Sequence, residues 1–272
     1  MADIEITGES LTLEQAIANL QQTADASLRY YAAWWLGRFR VNEPMVIATL
    51  EAALEDTSDR SPDGGYPLRR NAARALGKLG DRTVVPALTR CLTCDDYYVR
   101  EAAAQDLLEL GDAACAPALL ALLAGGVTAA VQVPGKPHLT QPYGAVIEAL
   151  GSLGVKAAIP QIEPFLDHDF ATVQNAAARA LYQLTGDDRY AQRLVATLQG
   201  DSLQLRRSAL MDLGAIGYLP AAPAIAAALT ENSLKLIALK GLVDQHLGSP
   251  PLASPGLTPE AIAVLQLMDT LL

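Results

Sequence analysis

Cys91 and Cys94, spaced C-x-x-C in "CLTC", are the pair whose spacing first suggests metal or redox chemistry. A zinc site needs two further ligands, and no second pair or nearby histidine supplies them. A redox dithiol ordinarily follows a strand, and none is visible before this one. The spacing therefore predicts helix packing and a helix end, and no metal is assigned. The three histidines, His138, His168 and His246, are scattered. His168, between Asp167 and Asp169, either titrates high as an ion pair or sits in an exposed acidic turn. No G-x-S-x-G, H-E-x-x-H or phosphate-binding glycine loop is present. The remaining chemistry is that of holding. Tyr and Trp rings stack on flat ligands, and arginines grip carboxylates with paired hydrogen bonds.

The densest such segment is "LRYYAAWWLGRFR", residues 28–40. It reads as a helix carrying two adjacent i, i+4 aromatic stripes, Tyr30 with Trp34 and Tyr31 with Trp35. One stripe can face a core; the other needs a different explanation.

The helices that would position these residues come from an internal repeat. "LRRNAARALGKLGD" (68–81) aligns with segments starting at 28, 99, 142, 173, 205 and 234. Successive starts differ by 40, 31, 43, 31, 32 and 29 residues, an underlying period of about thirty, in the range of solenoids. Each unit reads as two helices. A Gly-Asp pair such as Gly80-Asp81 supplies a left-handed C-terminal residue and then a cap for the second helix. Pro44, Pro86, Pro117, Pro160 and Pro223 fall in first turns, where a missing N–H costs nothing. A two-helix unit this small cannot bury its own apolar face, whereas stacked neighbours can. The expected fold is all-α, an α-solenoid of about seven helix pairs. Residues 1–25 form an N-terminal segment or cap, 26–247 the solenoid, and 248–272 a Pro/Gly/Ser linker and a C-terminal capping helix. Two insertions, 56–67 and 125–140, both follow second helices and share one edge. They either border a binding surface or are solvated loops.

Aligned columns distinguish the two stripes. The third (Tyr30, Arg70, Glu101, Gly144, Asn175, Arg207, Leu236) and seventh (Trp34, Arg74, Gln105, Glu148, Arg179, Met211, Lys240) are mostly polar and should face solvent. Tyr31 and Trp35 align mainly with small packing residues. Tyr30 and Trp34 should thus form an aromatic patch on a polar face, unless residues 1–25 fold back over them, while Tyr31 and Trp35 fill the end of the core. The second column, Arg29, Arg69, Arg100, Tyr143, Gln174, Arg206 and Lys235, should tie neighbouring units together, for instance through the Asp of a turn. Tyr143, after a proline and the His138 loop, is its exception, and Tyr66, Tyr97 and Tyr98 lie near the same edge.

Bulk properties narrow the function. Net charge is −10, which argues against a phosphate-tracking nucleic-acid binder. No apolar run reaches membrane-spanning length, and the start "MADIEITGES" lacks the features of a signal peptide, so a cytoplasmic location is expected. From residues alone, the chain is an α-solenoid that binds something flat or another protein.

"VREAAAQDLLELGD…APALLALL" resembles the HEAT-like repeat of phycobilisome lyases. "RYYAAWWLGRFRV" (29–41), "ALYQLTGD" (180–187) and "NSLKLIALKGL" (232–242) are similar to the E subunits of E/F-type heterodimeric phycocyanobilin lyases. The resemblance implies a cyanobacterial cytoplasmic enzyme acting with an F-type subunit. It would join phycocyanobilin through a thioether to a cysteine of the apo-phycocyanin α subunit, and also detach or transfer it. The bilin would be substrate, with no permanently bound cofactor. A thiol adds to the bilin's ethylidene group, so such an enzyme must align the reactants and manage a proton. On that reading the bilin-facing set is expected among Tyr30, Trp34, Arg38, Tyr97, Tyr98, His138 and Tyr143, with His138 and Tyr143 the candidates to handle the proton. Two alternatives stand beside it: a non-enzymatic HEAT-repeat scaffold in phycobilisome assembly or degradation, and the E subunit of a phycoerythrocyanin lyase-isomerase.

Overall fold

The computed structural model describes residues 11–248 and 257–272. Residues 1–10 of the expected N-terminal segment, and 249–256 of the expected linker, lie outside them. The chain divides into two compact units at Ala118/Leu119.

In the first unit, α1 (Leu13–Gln21) precedes α2 (Ala26–Arg38) and α3 (Pro44–Leu54). Then come α4 (Pro67–Leu79) with α5 (Val85–Cys91), and α6 (Tyr97–Leu110). α7 (Ala116–Leu122) spans the boundary. The second unit holds α8 (Gly126–Ala129), α9 (Tyr143–Ser152) with the short α10 (Ile159–Ile162), and α11 (Ala171–Thr185) with α12 (Asp188–Thr197). It ends with α13 (Leu203–Ile216), α14 (Ala222–Ala227), α15 (Asn232–Gly248) and α16 (Pro259–Asp269). No strand occurs among the described residues.

The turns follow the sequence chemistry. Gly80, Gly111, Gly186 and Gly217 end α4, α6, α11 and α13 with φ between 63° and 74°, a conformation that costs glycine little. Asp81, Asp112 and Asp187 follow three of them, and each carboxylate accepts the backbone N–H two residues on. First helices of successive repeats pack side by side, α2 on α4 and α4 on α6 in one unit, and α9, α11, α13 and α15 in the other. Small residues permit close approach. A Cβ on Gly37 would lie 2.8 Å from Ala75 Cα, and one on Gly151 would lie 2.6 Å from Ala180 Cα. α16 packs on α14 and α15, beginning at Thr258, whose hydroxyl accepts from Ala261 N at 3.3 Å.

The basic second column does tie units together, but mainly through carbonyls. Arg69 donates to the carbonyls of Glu55 and Asp56, Arg100 to Cys94, Arg206 to Gly200 and Leu229, and Lys235 to Ala226. Arg29 also reaches an Asp side chain, Asp56 at 2.7 Å. The last carbonyls of a helix have no helical partner and carry the negative end of its dipole, so a cation from the next unit satisfies both. Gln174, without a charge, donates its amide N–H to the His168 carbonyl at 2.6 Å.

Candidate functional site

Because equivalent positions of adjacent helices lie side by side, the columns become rows across α2, α4 and α6. One row starts at Tyr30, whose hydroxyl donates to the Asp59 carboxylate, 2.6 and 2.7 Å from its two oxygens. Asp59 belongs to the first insertion. Burial and this carboxylate push the Tyr30 phenol up to about 12. Arg70 follows in the row, its guanidinium 5.7 Å from the Tyr98 ring centre. Tyr98 meets Tyr97 edge-on at 5.3 Å, and the Tyr97 hydroxyl donates to Glu101 at 3.3 Å. Burial, then Glu101, raises the Tyr97 phenol.

The next row holds an exposed stack that differs from the expected one. Tyr31 and Trp34 lie 5.6 Å apart at 26° and remain 49% and 48% exposed. Tyr31 is therefore not core, and Tyr30 is half-buried. Residues three apart lie about 60° apart around a helix, close enough for the rings to stack once Tyr30 is drawn aside by Asp59. Trp35 is half-buried against Phe39, ring centres 5.1 Å apart. α1 packs on α2 and α3, with Leu20 and Ala16 buried, and leaves Trp34 open. Arg38, one turn after Trp34, is exposed, as are Arg74 and Lys78 on α4.

Behind these cations lies Asp106 of α6, which the sequence reading did not single out. It occupies the eighth column, otherwise Trp35, Ala75, Ala149, Ala180, Asp212 and Gly241, and presses on α4: a Cβ at Gly77 would lie 2.3 Å from its Oδ1. Its Oδ2 is buried without a hydrogen bond. Burial drives its carboxyl up to about 8 despite the opposing pull of Arg74 and Lys78. A carboxylate letter in a small-residue column was the available signal. Across three helices, this face combines an aromatic platform, exposed cations and a carboxyl that holds its proton at neutral pH.

His138 and Tyr143 belong to the second unit. Tyr143 is 2% exposed, its ring 5.3 Å from that of Phe165 and its hydroxyl 3.5 Å from Thr140 Oγ1. This departs from a ligand-facing place, because the second column points back into the preceding turn. His138, half-buried in the second insertion, has Nδ1 2.8 Å from the Leu139 carbonyl. His168 is neither exposed nor ion-paired: Phe170 N–H donates to Nδ1 and Nε2 lies 2.8 Å from the Ala130 carbonyl. It fastens the second insertion to the turn before α11. The Cys91 thiol is buried and raised to about 12, chiefly by desolvation, and Cys94 Sγ lies 3.9 Å from Arg69 Nη1. Among the described residues no group of three or more His, Cys, Asp or Glu could hold a metal. Nor is any helix among them long and apolar enough to cross a membrane.

Family models for HEAT repeats match residues 60–132 and 142–214, and the PBS lyase HEAT-like repeat matches 28–56 and 205–231. The phycocyanobilin lyase subunit alpha of a Synechocystis species is 64% identical over 262 residues, 96% of each chain. That of a Picosynechococcus species is 61% identical over 264 residues, 97% of each chain. The chain belongs to the phycocyanobilin lyase alpha-subunit family. A solved structure, the complex of CpcE and CpcF of phycocyanin lyase from Nostoc sp. PCC7120, matches with a TM-score of 0.89 and 58% identity. The match covers 100% of this chain and 99% of that one. The α-solenoid is thus that of the bilin-lyase family, and the aromatic and cationic rows of α2, α4 and α6 lie within it.

Proposed function

We propose that this chain is the alpha-type, or E-type, subunit of a heterodimeric lyase. It joins phycocyanobilin through a thioether to a cysteine of the phycocyanin α subunit and catalyses the reverse detachment. The observation that carries the reading is full-length identity of 60% or more to curated alpha subunits of that enzyme. The solved relative was captured with a second subunit, which supports an F-type partner here.

The face of α2, α4 and α6 suits one part of that task. A bilin is flat and carries two propionates. The Tyr31–Trp34 stack offers a surface for its rings, and Arg38, Arg74 and Lys78 offer cations for its carboxylates. Tyr30 and Tyr98 border the platform and act by shaping it, the Tyr30 hydroxyl being held by Asp59 and the Tyr98 ring facing the Arg70 guanidinium. Phycocyanobilin is substrate, and the apo-phycocyanin α subunit is the acceptor.

The test is reconstitution: this chain, an F-type subunit, phycocyanobilin and the apo-α subunit are mixed and run on a denaturing gel. Zinc-induced fluorescence on the α-subunit band, dependent on both lyase subunits, is expected. Its absence with a competent partner refutes the lyase reading and leaves a scaffold. An absorption spectrum of an isomerised bilin on a phycoerythrocyanin acceptor instead identifies the lyase-isomerase.

A further inference from the structure

A groove of about 370 Å³ opens within the first unit, where the end of α3 and the start of α4 meet the end of α5 and the link to α6. That volume falls near the lower end of small-molecule sites, about 300–1,000 Å³. Both cysteines of the C-x-x-C pair line it, together with Tyr66, Arg69 and Arg90. The bilin platform uses none of these residues.

The two thiols differ. Cys91, in the last turn of α5, is 6% exposed, and burial pushes its thiol up to about 12. Cys94 is partly exposed. Its backbone is fixed on both sides: the N–H donates to the Cys91 carbonyl at 3.1 Å, and the carbonyl accepts from Arg100 Nη1 at 2.6 Å. Its Sγ lies 3.9 Å from Arg69 Nη1. Arg69 is itself held in place by the Glu55 and Asp56 carbonyls and by the Tyr66 ring, 4.0 Å from its guanidinium carbon. A partly exposed sulfur beside a fixed cation is the setting of reactive cysteines, because the attacking species is the anion. Arg90 and Glu55, also on the groove, are 65% and 66% exposed and 3.9 Å apart, a contact worth little. A ligand's carboxylate can take over Arg90, and its ammonium group can take Glu55 or the neighbouring Asp95. A short peptide thiol bearing both groups meets both signs of charge.

We propose that this groove is a modification site, at which Cys94 forms a mixed disulfide with a small acidic peptide thiol of the glutathione class. In the step, the Cys94 thiolate attacks one sulfur of that thiol's disulfide. One S–S bond breaks and one forms, and the departing half leaves as a thiolate that takes up the proton released by Cys94. Cys94 is oxidised and the departing half is reduced, so no other oxidant is needed. A second displacement, by Cys91, would close a Cys91–Cys94 disulfide. At neutral pH the buried Cys91 thiol keeps its proton, so the mixed disulfide persists. Cys115, 0% exposed, is closed to the reagent.

The probe is oxidised glutathione, given to the full chain at neutral pH, with acid quenching and peptide mass mapping. One glutathionyl group on Cys94, and none on Cys91 or Cys115, is expected. Hydroxyethyl disulfide, which is neutral, provides the comparison for charge. Measured against the same chain unfolded in urea, native Cys94 should prefer glutathione disulfide over the neutral one by about threefold, the size of an exposed ion pair. Arg90→Gln should remove that preference and leave the rate with the neutral disulfide unchanged. Cys91→Ser should leave the yield at Cys94 as in wild type. An unmodified Cys94, label spread over all three cysteines, or a Cys91–Cys94 disulfide as the main product overturns the assignment. A charge preference equal to that of the unfolded chain also overturns it, because the groove would then select nothing.

Discussion

Asp106→Asn should stabilise the chain, and should do so more as the pH rises. Asp106 is held on Gly77 with one oxygen unpartnered, and its carboxyl is raised from 3.8 to about 8. Between those values the native state binds a proton that the unfolded chain has released. Stability therefore falls as pH rises through that window, is undiminished below about pH 4, and levels off above about pH 8. Each pH unit inside the window costs about 1.4 kcal/mol. From pH 5 to pH 7 the loss is about 2.7 kcal/mol, a difference that holds for native values of about 8 and above. Asn keeps the shape and the unpartnered polar atom but has no proton to lose. The stability difference between Asp106→Asn and wild type should then grow by about 2.7 kcal/mol over those two units. Urea unfolding at pH 5, 6 and 7, with the chain alone and in its heterodimer, measures it; every other titration cancels in the difference. An equal difference at pH 5 and pH 7 would sink the reasoning, because Arg74 and Lys78 would then be holding Asp106 ionised.

Trp34→Ala should lower bilin transfer by at least tenfold while shifting the melting temperature little, since Trp34 is 48% exposed; activity and melting lost together would place it in the core. Arg38→Gln should weaken bilin binding about fivefold, the equivalent of about 1 kcal/mol for an exposed ion pair. The loss should be smaller for a bilin whose propionates are esterified, and strictly additive effects would show that the two groups do not touch. Gly151→Ala should destabilise by about 1–3 kcal/mol by pressing a methyl into Ala180, whereas Gly144→Ala, with open space around it, should be nearly neutral in the same thermal melt.

By itself the sequence determined what local chemistry controls. Gly80-Asp81 and its equivalents set the turns because left-handed glycine and an Asp cap act within four residues, and the thirty-residue period dictated stacked helix pairs. The aligned columns also anticipated which cations brace one unit against the next, although their targets are mostly helix-end carbonyls, which no letter encodes. Tertiary structure decided the rest. Tyr30 and Tyr31 are adjacent letters of one type. The choice of which stays exposed was made by Asp59, twenty-nine residues away, through a hydrogen bond that no helical periodicity contains. Tyr143 looked like an exception in a basic column, yet the column's inward direction buried it against Phe165. His168 looked exposed between two acids until an insertion thirty-eight residues earlier in the chain closed over it. Asp106, Glu148 and Asp212 are ordinary acidic letters. Neighbouring helices raise all three carboxyls above their ordinary values, because removal from water is a property of packing and not of any segment alone.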